Sequence, residues 1–209
     1  MPGLTVESVW NFRDVAGEGD GLLLADGTRM AVGAVFRSGK LAPISKADRA
    51  RLAKAGVTDI YDLRTPEVIS RSPDPAIDGA EHHEVNIFAV HATPSAKPGS
   101  VAAAKEHMRQ LNRNFVTDAD QRAAIAVVLS SIAEDRGPVL VHCTEGKDRT
   151  GWISAMLQSV AGAGERSVID EYLASNTYRK DLIEQDVAKA RKSGGKQAAA
   201  IRRALVEVD

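Results

Sequence analysis

The sequence holds a single cysteine, Cys143, among 209 residues. This excludes an intramolecular disulfide framework and any zinc site assembled from several thiolates. A lone thiol is left with two uses, as a small buried hydrophobe or as a nucleophile. Aromatic residues make up only 4%, so no aromatic pocket wall can be picked out of the sequence. No apolar run approaches the roughly 20 residues of a bilayer-spanning helix, and the stretch from Met1 to Trp10 lacks both the basic region and the apolar stretch of a signal peptide. The expectation is a cytoplasmic protein without integral membrane association, with export open only to a route that needs no such signal. Charge of one sign is not in excess either: 27 basic residues face 28 acidic ones, for a formal net charge of −1. No nucleic-acid partner is expected, and anion binding has to be local. Internal repeats and long low-complexity segments are also missing. What remains, with 44% hydrophobic and 26% charged residues, is an ordinary folding composition, read as one domain over residues 1–209 with a core that needs no staple.

The periodicity changes along the chain. Asp26-Gly27 stands between two apolar stretches of Leu22 to Met30 and predicts a hairpin near the N-terminus, and Ala34-Val-Phe36 predicts a further strand. Ser45 is placed to cap a helix that Gly56 ends, before a buried strand over Val57 to Leu63. Glu84 to Phe88 predicts another strand, followed by a Pro- and Gly-containing surface loop over Ala89 to Ser100. Helical spacing then selects Val101, Ala104, Met108 and Leu111, and next Ile125, Val128, Leu129 and Ile132. After the apolar run Val139 to His142 come Ile153, Met156, Leu157 and Val160 on one helical face, and a helix with Val168, Ile169, Tyr172 and Leu173 inward. Further helices run from about Thr177 to Lys192 and, past Ser193-Gly-Gly195, to the end. The fold class is α/β: a mostly parallel central sheet flanked by helices, with an antiparallel hairpin near the N-terminus.

Between the strand at Val139 and the helix that follows lies His142-Cys-Thr-Glu-Gly-Lys-Asp-Arg-Thr-Gly151, in which Cys143 and Arg149 bracket five residues. Backbone groups from Thr144, Glu145, Gly146, Lys147 and Asp148 to Arg149 are enough to curl around a tetrahedral dianion, with the positive end of the helix aimed at the same point. That field favours the thiolate of Cys143. Arg149 presents a planar fork matched to two phosphoryl oxygens, which a lysine does not reproduce. Thr150 can donate to the sulfur as it leaves. Gly146 permits a sharp turn and close backbone approach, and Gly151 does the same at the helix entrance. A nucleotide-binding loop is excluded, because Asp148 follows the lysine where Ser or Thr is required and Val141 stands where the first glycine would.

This loop resembles the Cys-x5-Arg signature of the protein tyrosine phosphatases. With Asn11-Phe-Arg-Asp-Val15, Phe36-Arg-Ser-Gly39, Asp62-Leu-Arg64 and Glu171-Tyr-Leu-Ala-Ser-Asn176, it is similar to a bacterial tyrosine phosphatase family with Gly-Lys-Asp-Arg loops, which includes secreted mycobacterial and listerial members acting on phosphotyrosine and phosphoinositides. The resemblance runs from about residue 8 to residue 178. It implies phosphomonoester hydrolysis through a phosphocysteine intermediate, with tyrosine, dual-specificity or phosphoinositide substrates, or a small phosphate ester, and the loop aspartate Asp148 as proton donor. By position, Asp62, at the end of its strand, is the runner-up acid. Lys147 is the counterpart of an extra cation in phosphatases that accept inositol phospholipids, while Glu145 at the pocket mouth would oppose further phosphates.

Other groups have plainer expectations. His142 is read as shaping the loop from behind together with Asp62 and Arg64, and Asp14 is expected to pair with Arg13 in a similar strand-end network. His82, His83, His91 and His107 lack metal-ligand spacing, so no metal or other cofactor is expected. Asp118 and Asp120 read as helix caps, and the cations from Lys189 to Arg203 as a solvated face. Sulfur transfer and arsenate reduction fit less well, the first for its different loop and the second for its need of more cysteines. A catalytically weak module that recognises phosphorylated ligands is the alternative from another class.

Overall fold

Val139 to His142 is buried at all four positions and forms the central strand, β5, of a five-stranded sheet. The computed structural model of the chain describes residues 3–88, 98–134 and 137–208. The predicted loop of residues 89–100 therefore lies outside the described residues except for its last three, and His91 lies outside with it. The sheet order is β1 (Arg13–Asp14), β2 (Val35–Ser38), β5 (Val139–His142), β3 (Asp59–Asp62), β4 (Glu81–Glu84). β1 runs antiparallel to β2, and the other pairs are parallel. A parallel strand between two others must be apolar on both faces. Leu140 accordingly packs with Phe36, Ile60, Leu41 and Leu52 on one side, while Val139 and Val141 pack with Tyr61, Phe115, Val128 and Ile153 on the other. The first layer is closed by the N-terminal segment and α1 (Lys46–Lys54), the second by α3 (Val101–Thr117), α4 (Ala119–Glu134) and α5 (Asp148–Ala161).

Local signals set several boundaries. The Ser45 side chain accepts the Asp48 amide at 3.1 Å to open α1, and Asp118 accepts the Gln121 amide at 2.9 Å to open α4. Asp26-Gly27 does make a turn, with Gly27 at φ 85°, and the predicted hairpin is a short one outside the sheet, closed by the Leu24 amide on Thr28 O and the Met30 amide on Leu22 O, each at 2.9 Å, around a bridge between Leu23 and Arg29; the antiparallel strand of the sheet itself is Arg13–Asp14. The strand predicted over 84–88 is displaced to Glu81–Glu84, an edge strand that tolerates charge. Val85, Ile87 and Phe88 leave the sheet and pack into the core beneath the next helix. A short α2 (Pro66–Arg71) links β3 to β4, and α6 (Glu165–Leu173), α7 (Ser175–Tyr178) and α8 (Lys180–Val206) follow α5. α8 is two helices joined at Gly194 and Gly195, whose backbone is not helical. No helix among the described residues is long and apolar enough to cross a membrane.

Candidate active site

The loop from Cys143 to Lys147 leaves the C-terminal end of β5 and enters α5 at Asp148. Because β2 and β3 flank β5 in parallel, their C-terminal ends wall the loop on both sides: the Lys40 amide donates to Thr144 O at 3.1 Å and the Leu63 amide to His142 O at 2.9 Å. The loop's own carbonyls are drawn outward. Asn11 Nδ2 donates to Gly146 O at 2.8 Å and to Glu145 O at 3.2 Å, and Arg37 donates to Gly146 O at 2.7 Å. Turning the carbonyls away turns the amides in, and the Gly146 N–H points at Cys143 Sγ, 3.2 Å away. Gly146 has φ 66°, and a Cβ there would stand 2.5 Å from the Ser38 carbonyl, so only glycine lets the loop close on β2. A Cβ on Gly151 would meet the Tyr172 ring at 2.5 Å.

Cys143 is buried at the floor of this cradle. Burial alone would push its thiol up, but the Arg149 charge and the hydroxyl and amide of Thr150 outweigh that and hold it below its ordinary value. Arg149 donates to Leu63 O at 3.0 Å and to Thr144 Oγ1 at 3.3 Å. Its guanidinium carbon lies 4.4 Å from the centre of the Phe88 ring. A buried cysteine whose thiolate is favoured, a loop amide aimed at its sulfur and a guanidinium tied to the same loop are groups able to hold a tetrahedral anion over a nucleophile.

The profile of the tyrosine phosphatase family matches residues 4–209. The chain belongs to that family. This phosphatase is 32% identical over 193 residues to the triple specificity protein phosphatase PtpB of Mycobacterium tuberculosis, covering 80% of this chain and 67% of the relative. It is 29% identical over 212 residues to a putative tyrosine-protein phosphatase of Cupriavidus necator, covering 98% and 74%. Among solved structures, TpbA of P. aeruginosa aligns with a TM-score of 0.38 at 18% identity, covering 95% of this chain and 98% of that one. As a member of its family, the chain is a tyrosine phosphatase-like phosphomonoesterase.

Two charged loop residues of the phosphatase are engaged elsewhere. Lys147 was expected in the cradle, but its ammonium is buried against the end of α8, donating to Leu205 O at 2.9 Å and Glu207 O at 3.4 Å, with Asp148 Oδ1 at 3.6 Å. The Glu145 carboxylate pairs with Arg179, which is fully buried and also donates to Val206 O at 2.8 Å. Arg202 lies 4.0 Å from the same carboxylate. Neither side chain is the free charge at the pocket mouth that the sequence suggested. The Asp148 side chain is partly exposed at the first turn of α5.

Behind the loop lie two buried ionic groups. Glu171 accepts from both Arg13 and Arg37, with the Ser175 hydroxyl between them. Arg13 thus pairs with a residue of α6 and not with Asp14, whose carboxylate caps the Ala16 and Gly33 amides. In the second group Arg64 donates to both Asp62 oxygens and to Asp74 Oδ2 at 2.9 Å. Asp74 Oδ2 also lies 2.9 Å from His142 Nε2. Burial pulls the His142 imidazole down in pKa, but Asp74 and Asp62 outweigh it and raise it above its ordinary value. Asp62, Asp74 and His142 are close enough to share a cation, but Arg64 already supplies one; Asp59, Glu81 and His83 form a more exposed cluster on β3 and β4. Sequence reasoning missed what Glu171 and Asp74 pair with, because the pairings join separate segments of the chain, and it missed Phe88. A hollow of about 820 Å³ beside the N-terminal segment, lined by Trp10, Phe12, Phe36 and Tyr178, includes no residue of the loop.

Proposed function

We propose that this phosphatase hydrolyses monophosphate esters, phosphotyrosine in proteins foremost, through a phosphocysteine intermediate. The observation that carries the reading is the Gly146 amide aimed at the buried Cys143 Sγ by a loop whose carbonyls Asn11 and Arg37 hold outward. The Cys143 thiolate attacks phosphorus in line with the ester oxygen. As the P–O bond breaks, Asp148 gives its proton to the leaving oxygen, while Arg149 and the inward amides of the loop from Thr144 to Arg149 hold the equatorial oxygens. Asp148 then takes a proton from water, whose oxygen forms the new P–O bond as the P–S bond breaks, and Thr150 donates to the departing sulfur.

Asp148 is preferred over Asp62 because the Asp62 carboxylate is held on both oxygens by Arg64. Monophosphates are preferred because Lys147 and Glu145 are both tied to the C-terminal segment, leaving the loop with charge matched to one phosphoryl group. The M. tuberculosis relative is named for triple specificity, so phosphoserine, phosphothreonine and lipid phosphates belong in the same test. Phosphate release from a phosphotyrosyl peptide, a phosphoseryl peptide and a monophosphorylated phosphoinositide is compared for wild type and Cys143→Ser. Turnover by wild type alone, fastest on the tyrosyl peptide, is expected; tight binding of peptides without turnover by either protein would establish the recognition module instead.

A further inference from the structure

Phe88 lies outside every motif of the sequence. It follows β4 where the chain turns toward the loop, and its ring lies against the Arg149 guanidinium, the cation 4.4 Å from the ring centre. The Phe88 ring is in turn stacked on Phe115, with centroids 6.3 Å apart and planes inclined by 10°. Phe115, on α3, is buried and stacks on Trp152 with centroids 6.2 Å apart. Trp152 stands three residues after Arg149 on α5. The row from the Arg149 guanidinium through three rings to Trp152 therefore begins and ends on one helix, passing through two other segments of the chain, so the height of Phe88 above the guanidinium is set by packed aromatic neighbours.

We infer that Phe88 is a positioning residue for Arg149: its ring fixes the plane of the guanidinium and leaves the N–H edge to the phosphoryl oxygens. This positioning rests on the role proposed for Arg149. A guanidinium is weakly hydrated and flat, and an aromatic face attracts it through the ring quadrupole. The hydrogen bonds to Leu63 O and Thr144 Oγ1 tie down two of its nitrogens, and the ring opposes tilting about the line between them. Because rate depends on placing donors where charge develops in the transition state, loss of the ring lowers turnover while leaving the fold in place. A merely structural Phe88 would be replaceable by any apolar side chain of similar bulk.

The test is turnover of p-nitrophenyl phosphate and inhibition by vanadate, a tetrahedral oxyanion that becomes trigonal-bipyramidal when the thiolate adds to it, for wild type, Phe88→Leu and Phe88→Tyr. A second series places phenylalanines with one, two or three ring fluorines at position 88, which weakens the attraction for a cation at nearly constant shape. Phe88→Leu is expected to lower kcat and raise the vanadate inhibition constant by about 2- to 30-fold, with a smaller change in KM. Phe88→Tyr recovers most of the loss, and inhibition weakens stepwise with each fluorine. A leucine variant with wild-type kcat and vanadate affinity, or a flat fluorine series, would overturn the inference; should leucine prevent folding, the fluorine series decides. Failure of the underlying reading looks different: wild type and Cys143→Ser equally inert, or Arg149→Lys as active as wild type, would remove the role of Arg149 and the positioning with it.

Discussion

Arg37 is fully buried, and its guanidinium spans Glu171 Oε2 and Gly146 O, each at 2.7 Å. Removing one member of such a buried pair strands the other charge, at a cost of about 3–5 kcal/mol. Glu171→Gln is therefore expected to lower unfolding free energy by about that amount in urea titration, and to lower kcat further because Gly146 O loses its anchor. Asp148→Asn is expected to slow hydrolysis of phenyl phosphate, a poor leaving group, by about 100-fold or more, and p-nitrophenyl phosphate by much less. Asp62→Asn should show no such dependence on the leaving group, since its carboxylate is bound by Arg64; equal dependence in both variants would reassign the acid. His142 gives a pH test. Its pKa is raised in the folded protein, so the stabilisation is complete below the ordinary value of about 6.5 and is lost as pH rises through the folded value. Cys143, lowered in the fold, acts in the opposite sense. The readout is thus the difference between wild type and Asp74→Asn: their unfolding free energies should converge as pH rises from 6.5.

At the level of elements, the strand, loop and helix around Cys143 were legible because the chemistry needs them contiguous in sequence. The ionic support was not, since Arg13 and Glu171 are 158 positions apart and Arg37 and Glu171 134 apart. The strings Asn11-Phe-Arg-Asp-Val15 and Glu171-Tyr-Leu-Ala-Ser-Asn176 stood out by resemblance, yet their joint purpose appears only when α6 is folded beside β1 and β2. Helical periodicity also misled on α5 and α6. Val160, Ile169 and Leu173 were expected inside but are 83%, 45% and 38% exposed. The last turn of α5 runs past the core, and α6 turns Glu171, at 8% exposure, inward to meet the two arginines. Val160→Lys should accordingly change stability by no more than about 0.5 kcal/mol, whereas Ile153→Ala, in the same helix, should cost about 2–5 kcal/mol. Urea midpoints of the two variants check this directly.

Across the whole molecule, the chain's last described residues return to the loop. Lys147 donates to Leu205 O, Arg179 to Val206 O, and Asn176 exchanges hydrogen bonds with the Val208 amide and carbonyl. Ending the chain at residue 204 strips acceptors from two buried cations, each unmet group costing about 1–3 kcal/mol. A lowered melting temperature together with loss of turnover is the expected result, read by calorimetry and steady-state assay; a truncated protein as stable and active as the full chain would show that the loop stands without this support. The sheet has a consequence of its own. A β-sheet with open margins invites a strand from another copy, and a protein so near electrical neutrality has little overall repulsion to prevent it. Here β1 offers only Arg13 and Asp14, too short a template, while β4 presents Glu81 and Glu84 to water. Aggregation by lateral strand addition is refused on one margin by brevity and on the other by carboxylates.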